Sequence, residues 1–248
     1  MIDIRRAAQT ASNDAGWLQS RHYFSFGSYF DESNRLFGPL CVFNHDIIAG
    51  GRGFGAHPHR EMEIVSVVLR GELKHEDSAG NTALTTFGGI QRMTAGTGII
   101  HSEVNPGEEP VELLQIWFMP EQARLAPDYE TTHYDTNALR GRWLPVVNRE
   151  GGPNIASIHQ DISIQLTQLE PGQVVSYEAQ AERLHYLYIA RGSAELTINR
   201  TSNTLSEGDT VRMTDETNIR LSAIGEHPLL ALLVDMTPQP VRQGGEQQ

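Results

Sequence analysis

The sequence predicts an all-β protein. Short β-branched runs alternate with 23 glycines and 12 prolines, the pattern of many brief strands joined by tight turns. Histidine and glutamate recur in pairs one residue apart, a spacing that puts both side chains of a pair on one face of a strand. A faint internal repeat also divides the chain. Arg92-Met-Thr94 returns as Arg212-Met-Thr214, and Arg70-Gly71 as Arg191-Gly192, which points to two related β-rich halves.

Composition narrows the function classes. At 248 residues the chain suffices for one large domain or two small ones, with ample length to bury a core. A formal net charge of −12 argues against direct nucleic-acid binding, which needs clustered Lys and Arg. Cys41 is the single cysteine, so internal disulfides are excluded; between Leu40 and Val42 it reads as a small buried hydrophobe. Asp3, Arg5, Arg6 and Asp14 interrupt residues 1–20, so no signal peptide is expected. No apolar run approaches membrane-spanning length. The expectation is a cytoplasmic monomer.

Taken in order, residues 1–50 read as strand and loop rich in aromatics. In Arg21-His22-Tyr23-Phe24-Ser25-Phe26, alternation puts His22, Phe24 and Phe26 on one face, as a core strand or the apolar wall of a ligand pocket. The densest stretch follows. It opens on Gly51-Arg-Gly-Phe-Gly-Ala-His57-Pro-His59 and closes on Ala95-Gly-Thr-Gly98-Ile-Ile-His101-Ser-Glu103. If the two strands lie side by side, His57, His59, His101 and Glu103 converge. Three imidazoles and a carboxylate suit a divalent transition metal. Pro58 is tolerated at a strand's start or along an edge. Between the motifs, Glu63 to Arg70 reads as a sandwich strand turned by Gly71. Glu72–Asp77 returns, and Ser78-Ala-Gly-Asn81 makes a hairpin turn. His75 reads as a solvated strand residue. Val111–Met119 is a further strand on which Gln115 and Trp117 share a face. Gln115 either lines the pocket or is a buried, backbone-bonded glutamine.

These motifs resemble a known family. Gly51-x5-His57-x-His59-x3-Glu63-x7-Gly71 looks like the first cupin motif, and Gly96 to Glu103 resembles the second. The variant Phe54-Gly-x-His57-Pro-His59-Arg, with Ala95-Gly-Thr-Gly-Ile-x-His101-Ser-Glu103, is similar to the pirin branch, especially bacterial pirin-like quercetin dioxygenases. The likeness runs from Trp17 to about Pro238. It implies a bicupin, two jelly-roll β-sandwich domains packed together. It also assigns His57, His59, His101 and Glu103 as metal ligands. Glu103 then takes the place that most cupins give to the first-motif glutamate, here Glu63. Glu63 is expected next to the ligands, orienting an imidazole through a hydrogen bond.

Residues 120–150 hold prolines and charges and read as the linker. The expected division is 1–135 for a metal-binding domain, 136–238 for a degenerate, metal-free one and 239–248 for a polar, frayed tail. The repeat's offsets set His101 and Glu103 against Leu221 and Ala223, and His57 and His59 against Glu178 and Gln180. The second half therefore lacks the ligand set. His45, His133, His159, His185 and His227 show no paired spacing and read as surface or satisfied core residues.

Four protein ligands on a six-coordinate metal leave two positions open, as a catalytic rather than a structural site requires. The resemblance implies a metal-dependent dioxygenase that opens the central ring of flavonols such as quercetin with O₂ and releases carbon monoxide. Iron(II) is its first metal, with manganese, cobalt, nickel, copper or zinc as alternatives. Glu103 would double as the general base, and Phe24, Phe26 and Trp117 offer the apolar slot for a flat aromatic substrate. The alternative is a metal-dependent protein partner of transcription regulators, or a small-molecule-binding cupin, without turnover.

Overall fold

A computed structural model describes residues 1–238, in which strands and three short 3-10 turns make up the regular structure. The expected polar tail lies outside the described residues. The strands form four sheets in two sandwiches. In the first, a seven-stranded sheet runs in the order Asp128–His133, Gly89–Thr94, Glu63–Arg70, Val111–Phe118, Leu40–Ile48, Leu18–His22, Ala11–Asp14. It faces a four-stranded sheet ordered Gly53–His59, Ile99–Val104, Glu72–Asp77, Thr82–Thr86. In the second, the large sheet is Ile2–Arg5, Thr210–Thr214, Leu184–Arg191, Leu229–Met236, Ile162–Leu169, Leu144–Asn148, Ala156–Ser157. Its small sheet is Val174–Glu178, Asn218–Ile224, Ser193–Ile198, Thr201–Ser206. The two sets correspond except at the last strand of the large sheet, which is antiparallel to its neighbour in the first and parallel in the second, and both arginine repeats fall on equivalent strands. The bicupin fold expected from the sequence is the fold observed.

Two features depart from the sequence reading. Ile2–Arg5 pairs with Thr210–Thr214, so the first residues are stitched into the second sandwich across the expected division. Residues 120–150 are also more than linker, because Asp128–His133 and Leu144–Asn148 are strands. Asp128–His133 runs along a sheet edge, where polar residues replace apolar alternation and no hydrophobic period betrays the strand.

The large sheets pack back to back. Val65, Val67, Leu114, Ile116 and Phe118 from the first join Tyr186, Tyr188, Leu232 and Val234 from the second in one apolar cluster. Their alternates Ile64, Val68 and Leu113 face the interior of their own sandwich. Burial on both faces explains why Glu63–Arg70 reads as a continuous apolar run. Polar ties cross the same boundary. Tyr188 donates to His45 Nδ1 at 2.7 Å, His45 Nε2 donates to Glu112 at 2.6 Å, and Arg191 donates to the other Glu112 oxygen.

The two interiors differ. The second is filled by one apolar cluster that includes Val175, Leu187, Leu196, Leu221 and Leu233. The first is split into a cluster around Leu73 and Leu113 and another around Ile64 and Met93. Register identifies the counterparts. His101 pairs with His57 and Ile99 with His59, whereas Leu221 pairs with Val175 and Ile219 with Tyr177. Val175 and Tyr177, not Glu178 and Gln180, therefore stand where the first half has its histidine pair. The stretch from Tyr177 to Leu184 is three residues longer than that from His59 to Glu63, which displaces a count made from Arg191.

Burial alone would raise the Glu112 carboxyl, but the hydrogen bonds from His45 and Arg191 outweigh it and bring it from its ordinary 4.5 to about 2. A depressed folded-state value contributes stability above the unfolded value that is lost as pH falls through the folded one. Thermal melting should therefore fall steadily from about pH 4.5 toward pH 2 in the native protein. Glu112→Gln should lose roughly 1–3 kcal/mol at neutral pH and show a flatter profile across that window. Parallel melting curves for the two proteins would refute the assignment.

Candidate metal centre

The histidine pairs meet because their strands are neighbours in antiparallel register, with His57 directly opposite His101. Pro58 is accommodated because Gly53–His59 is the edge strand of its sheet. Between His101 and Glu103 the register shifts, so Glu103 faces Phe54. The extra residue lies at Gly55-Ala56, a β-bulge that bends the strand and re-aims its side chains. Gly53 is needed there: a Cβ would lie 2.3 Å from the Glu103 carbonyl oxygen.

The bulge also sets a tautomer. The Gly55 carbonyl accepts a hydrogen bond from His57 Nδ1 at 2.7 Å. A carbonyl can only accept, so the proton of the neutral ring sits on Nδ1 and its lone pair on Nε2. That nitrogen lies 3.1 Å from His101 Nε2, and His59 Nε2 is buried without a hydrogen-bond partner. Donor nitrogens of His57, His59 and His101 all lie within 4.8 Å of one another. Burial first, then the neighbouring imidazoles, push His59 down to about 4 and His101 to about 3. Clustered imidazoles, with His59 and His101 kept neutral by burial and one ring nitrogen orphaned, fit a metal cation, since ligands must be deprotonated to bind one.

Glu103 is nearby but grouped differently. Its carboxylate gathers with His101 and His75 within 4.8 Å. Ser66 donates to one oxygen at 3.0 Å and Gln115 donates to the other. Burial raises this carboxyl to about 7. His75, read as solvated from sequence, is only 1% exposed. Its strand lies on the far side of Ile99–Val104, with His75 opposite Glu103 and Asp77 opposite His101. The sequence signal was present: His75-Glu-Asp77 has the same one-residue spacing as the other two pairs.

Two expected site residues lie elsewhere. Glu63 is fully buried, but its carboxylate accepts from Thr94 at 3.0 Å and from the His159 backbone at 3.2 Å, not from a ligand imidazole. On its strand Glu63 alternates with Ile64, which faces the cavity, so it points the other way. Phe24 packs on Tyr186 with the Arg212 guanidinium 4.4 Å above its ring. The strand ends at His22, so the alternation that would have put Phe24 beside Phe26 does not continue.

His22, Phe26, Gln115 and Trp117 do line a common cavity of about 420 Å³ with the three histidines and Glu103. Trp117 stands edge-on to both His59 and Phe26, at ring separations of 4.8 and 5.5 Å. The cavity also contains a polar wall that sequence reasoning missed. Ser20 donates to buried Asp46 at 2.5 Å, and Asn44 pairs with His22 at 3.1 Å. These residues come from Leu18–His22 and Leu40–Ile48, neighbouring strands of the large sheet, and no motif marks them.

Fold and site together define a bicupin with a histidine-rich candidate metal centre in its first half. The profile of the family described as Pirin matches residues 3–118, and that described as Quercetinase C-terminal cupin domain matches residues 145–236. A quercetin 2,3-dioxygenase of Escherichia coli O157:H7 is 37% identical, over 96% of this chain and 100% of that protein. A pirin-like protein of Caulobacter vibrioides is 33% identical, over 95% and 99% of the two chains. The crystal structure of the Escherichia coli bacterial pirin YhhW in complex with nickel(II) superimposes with a TM-score of 0.86 at 35% identity, covering 96% of this chain and 100% of that one. The chain belongs to the pirin family.

One metal ion per chain is expected, because Val175, Tyr177, Leu221 and Ala223 replace the ligand set in the second half. Metal analysis after dialysis should give a single equivalent that His101→Ala abolishes and Glu63→Gln leaves in place. Two tightly held ions, or loss of metal in Glu63→Gln, would contradict the placement.

Proposed function

We propose that the protein is a metal-dependent dioxygenase that opens the central ring of flavonols such as quercetin with O₂ and releases carbon monoxide. The observation that carries this reading is the cluster of three imidazoles in an aromatic-walled cavity. His57, His59 and His101 would hold the metal, with Glu103 as the fourth ligand. The nickel(II) complex of the Escherichia coli relative supports a divalent transition metal, and the imidazole–carboxylate donor set suits iron(II) as well. Such a metal supplies Lewis acidity, which acidifies a hydroxyl it coordinates, and, if redox-active, a route for electrons to O₂.

The protein's own groups account for the rest. Phe26, Phe54, Trp117 and Ile64 offer apolar surface to a flat ring system. Asp46 and Ser20 offer hydrogen bonds to its hydroxyls from the polar wall. Glu103 accepts the proton of the substrate's 3-hydroxyl as a positioned general base. Ser66 and Gln115 orient its carboxylate.

Carbon monoxide release should be seen with quercetin and not with a flavone lacking the 3-hydroxyl or with a 3-O-glycoside. Glu103→Gln should slow release from quercetin by roughly 10²–10⁴-fold, as for loss of a positioned general base. Comparable release from all three compounds would sink the mechanism. No oxygen-dependent loss of quercetin in the metal-loaded protein would sink the activity.

A further inference from the structure

The second histidine–carboxylate pair beside the centre is not accounted for by the proposed reaction. His75 Nε2 lies 3.1 Å from Asp77 Oδ2, and His75 Nδ1 lies 3.4 Å from His101 Nδ1. His101 presents its other nitrogen, Nε2, to His57. The three residues thus form a line from a carboxylate, through one imidazole, to the back of another. Tyr129 stacks flat on His75, with ring centroids 4.1 Å apart and planes at 13°, and so fixes the ring's plane. The Asp77 side chain is fully buried, and its other oxygen accepts from the backbone amides of Ala79 and Asn81.

We propose that Asp77 and His75 are positioning residues that set the tautomer of His101 and so make it a metal ligand. The inference rests on the reading of His101 as a ligand and concerns residues that the ligand motifs do not include. Proton placement follows from what each atom can do. Asp77, as a carboxylate, only accepts, so His75 Nε2 carries a proton and donates it. A neutral His75 then has a lone pair on Nδ1, which accepts from His101 Nδ1–H. His101 Nε2 is left unprotonated on the side of His57 and His59. The 3.4 Å contact is at the long end for a hydrogen bond, and it is the element of the relay that the experiment must test.

Asp77→Asn is the sharp variant. It keeps Oδ1 for the turn amides but turns an N–H toward His75, which must then accept at Nε2 and donate at Nδ1, and toward the Asn81 amide, which donates to Oδ2 at 2.9 Å in the native protein and must turn its oxygen inward. His101 is driven toward the Nε2–H tautomer, with its proton where a metal would bind. Loss of such a supporting partner weakens metal binding by roughly 10–100-fold. Nickel(II) affinity of the full-length protein, measured by competition with a chromophoric chelator, should fall by that factor in Asp77→Asn and His75→Leu. His75→Gln, whose carbonyl can still accept from His101, should stay within a few-fold of the native protein and keeps the test open if Asp77→Asn does not fold. Long-range ¹H–¹⁵N spectra of the zinc-loaded native protein should show His75 protonated at Nε2. Native affinity in both Asp77→Asn and His75→Leu, while His57→Ala loses nickel, overturns the relay and leaves the centre standing. Native affinity in His57→Ala overturns the centre itself. A Nδ1-protonated His75, or a second nickel ion that His75→Leu removes, would show that His75 acts otherwise.

Discussion

Two large sheets pressed back to back set the terms for everything else. Because the central strands bury both faces, their register cannot slip by one residue without exchanging the two sets of side chains. On Val111–Phe118 a slip would carry Gln115 and Trp117 into the shared core and turn Leu114, Ile116 and Phe118 into the cavity. The orientation of the two cavity residues is thus imposed by the apolar residues beside them. Glu103 is in turn oriented by Gln115 and by Ser66, and Ser66 is fixed in the same way between Val65 and Val67. The core does not touch the proposed substrate, yet it determines where the carboxylate's donors stand.

The two halves show what that scaffold does with and without a site. In the second sandwich, Val175, Leu221 and Ala223 join a continuous apolar filling. Each buried Val or Leu contributes roughly 1.5–3 kcal/mol relative to exposure. In the first, imidazoles and a cavity occupy the equivalent space, and a void forfeits both transfer energy and dispersion contacts. A hollow sandwich alone would be a weak structure. Fusing it through one large face to a filled copy, and anchoring its first strand in that copy, supplies the rigidity that its own interior gives up.

Much of this was legible in the chain. The strand and turn pattern, the doubled architecture and the histidine pairs were all readable, because period-two spacing and glycine-punctuated turns act locally. What escaped depended on which face of a strand looks inward. Glu63 sits in the first motif, but its neighbours Val65 and Val67 share its face and belong to the central core, so its carboxylate turns toward His159 in the other half. Phe24 leaves the face of His22 because the strand ends at His22, a boundary invisible in an aromatic run. His75-Glu-Asp77 has the right spacing, but no motif claims it. Asp46 and Ser20 have no local signature, since their meeting depends on the pairing of strands distant in sequence.

The candidate centre is held against its own electrostatics. His57 Nε2 and His101 Nε2 sit 3.1 Å apart. In water such imidazoles would separate or protonate. Here burial disfavours the imidazolium form at His59 and His101, and the strand pairing prevents separation. The three imidazoles are therefore kept together in the folded chain, where a cation in their midst would draw a lone pair from each. Anything that binds the folded state alone stabilises it, by about 2.7 kcal/mol at a free concentration of one hundred times Kd. A scaffold whose stability comes mainly from its shared apolar core can keep the imidazoles poised without needing the metal in order to fold. The division of labour between a filled half and a hollow half then has a physical reason, since one provides the rigidity that the other uses to hold its ligands in place.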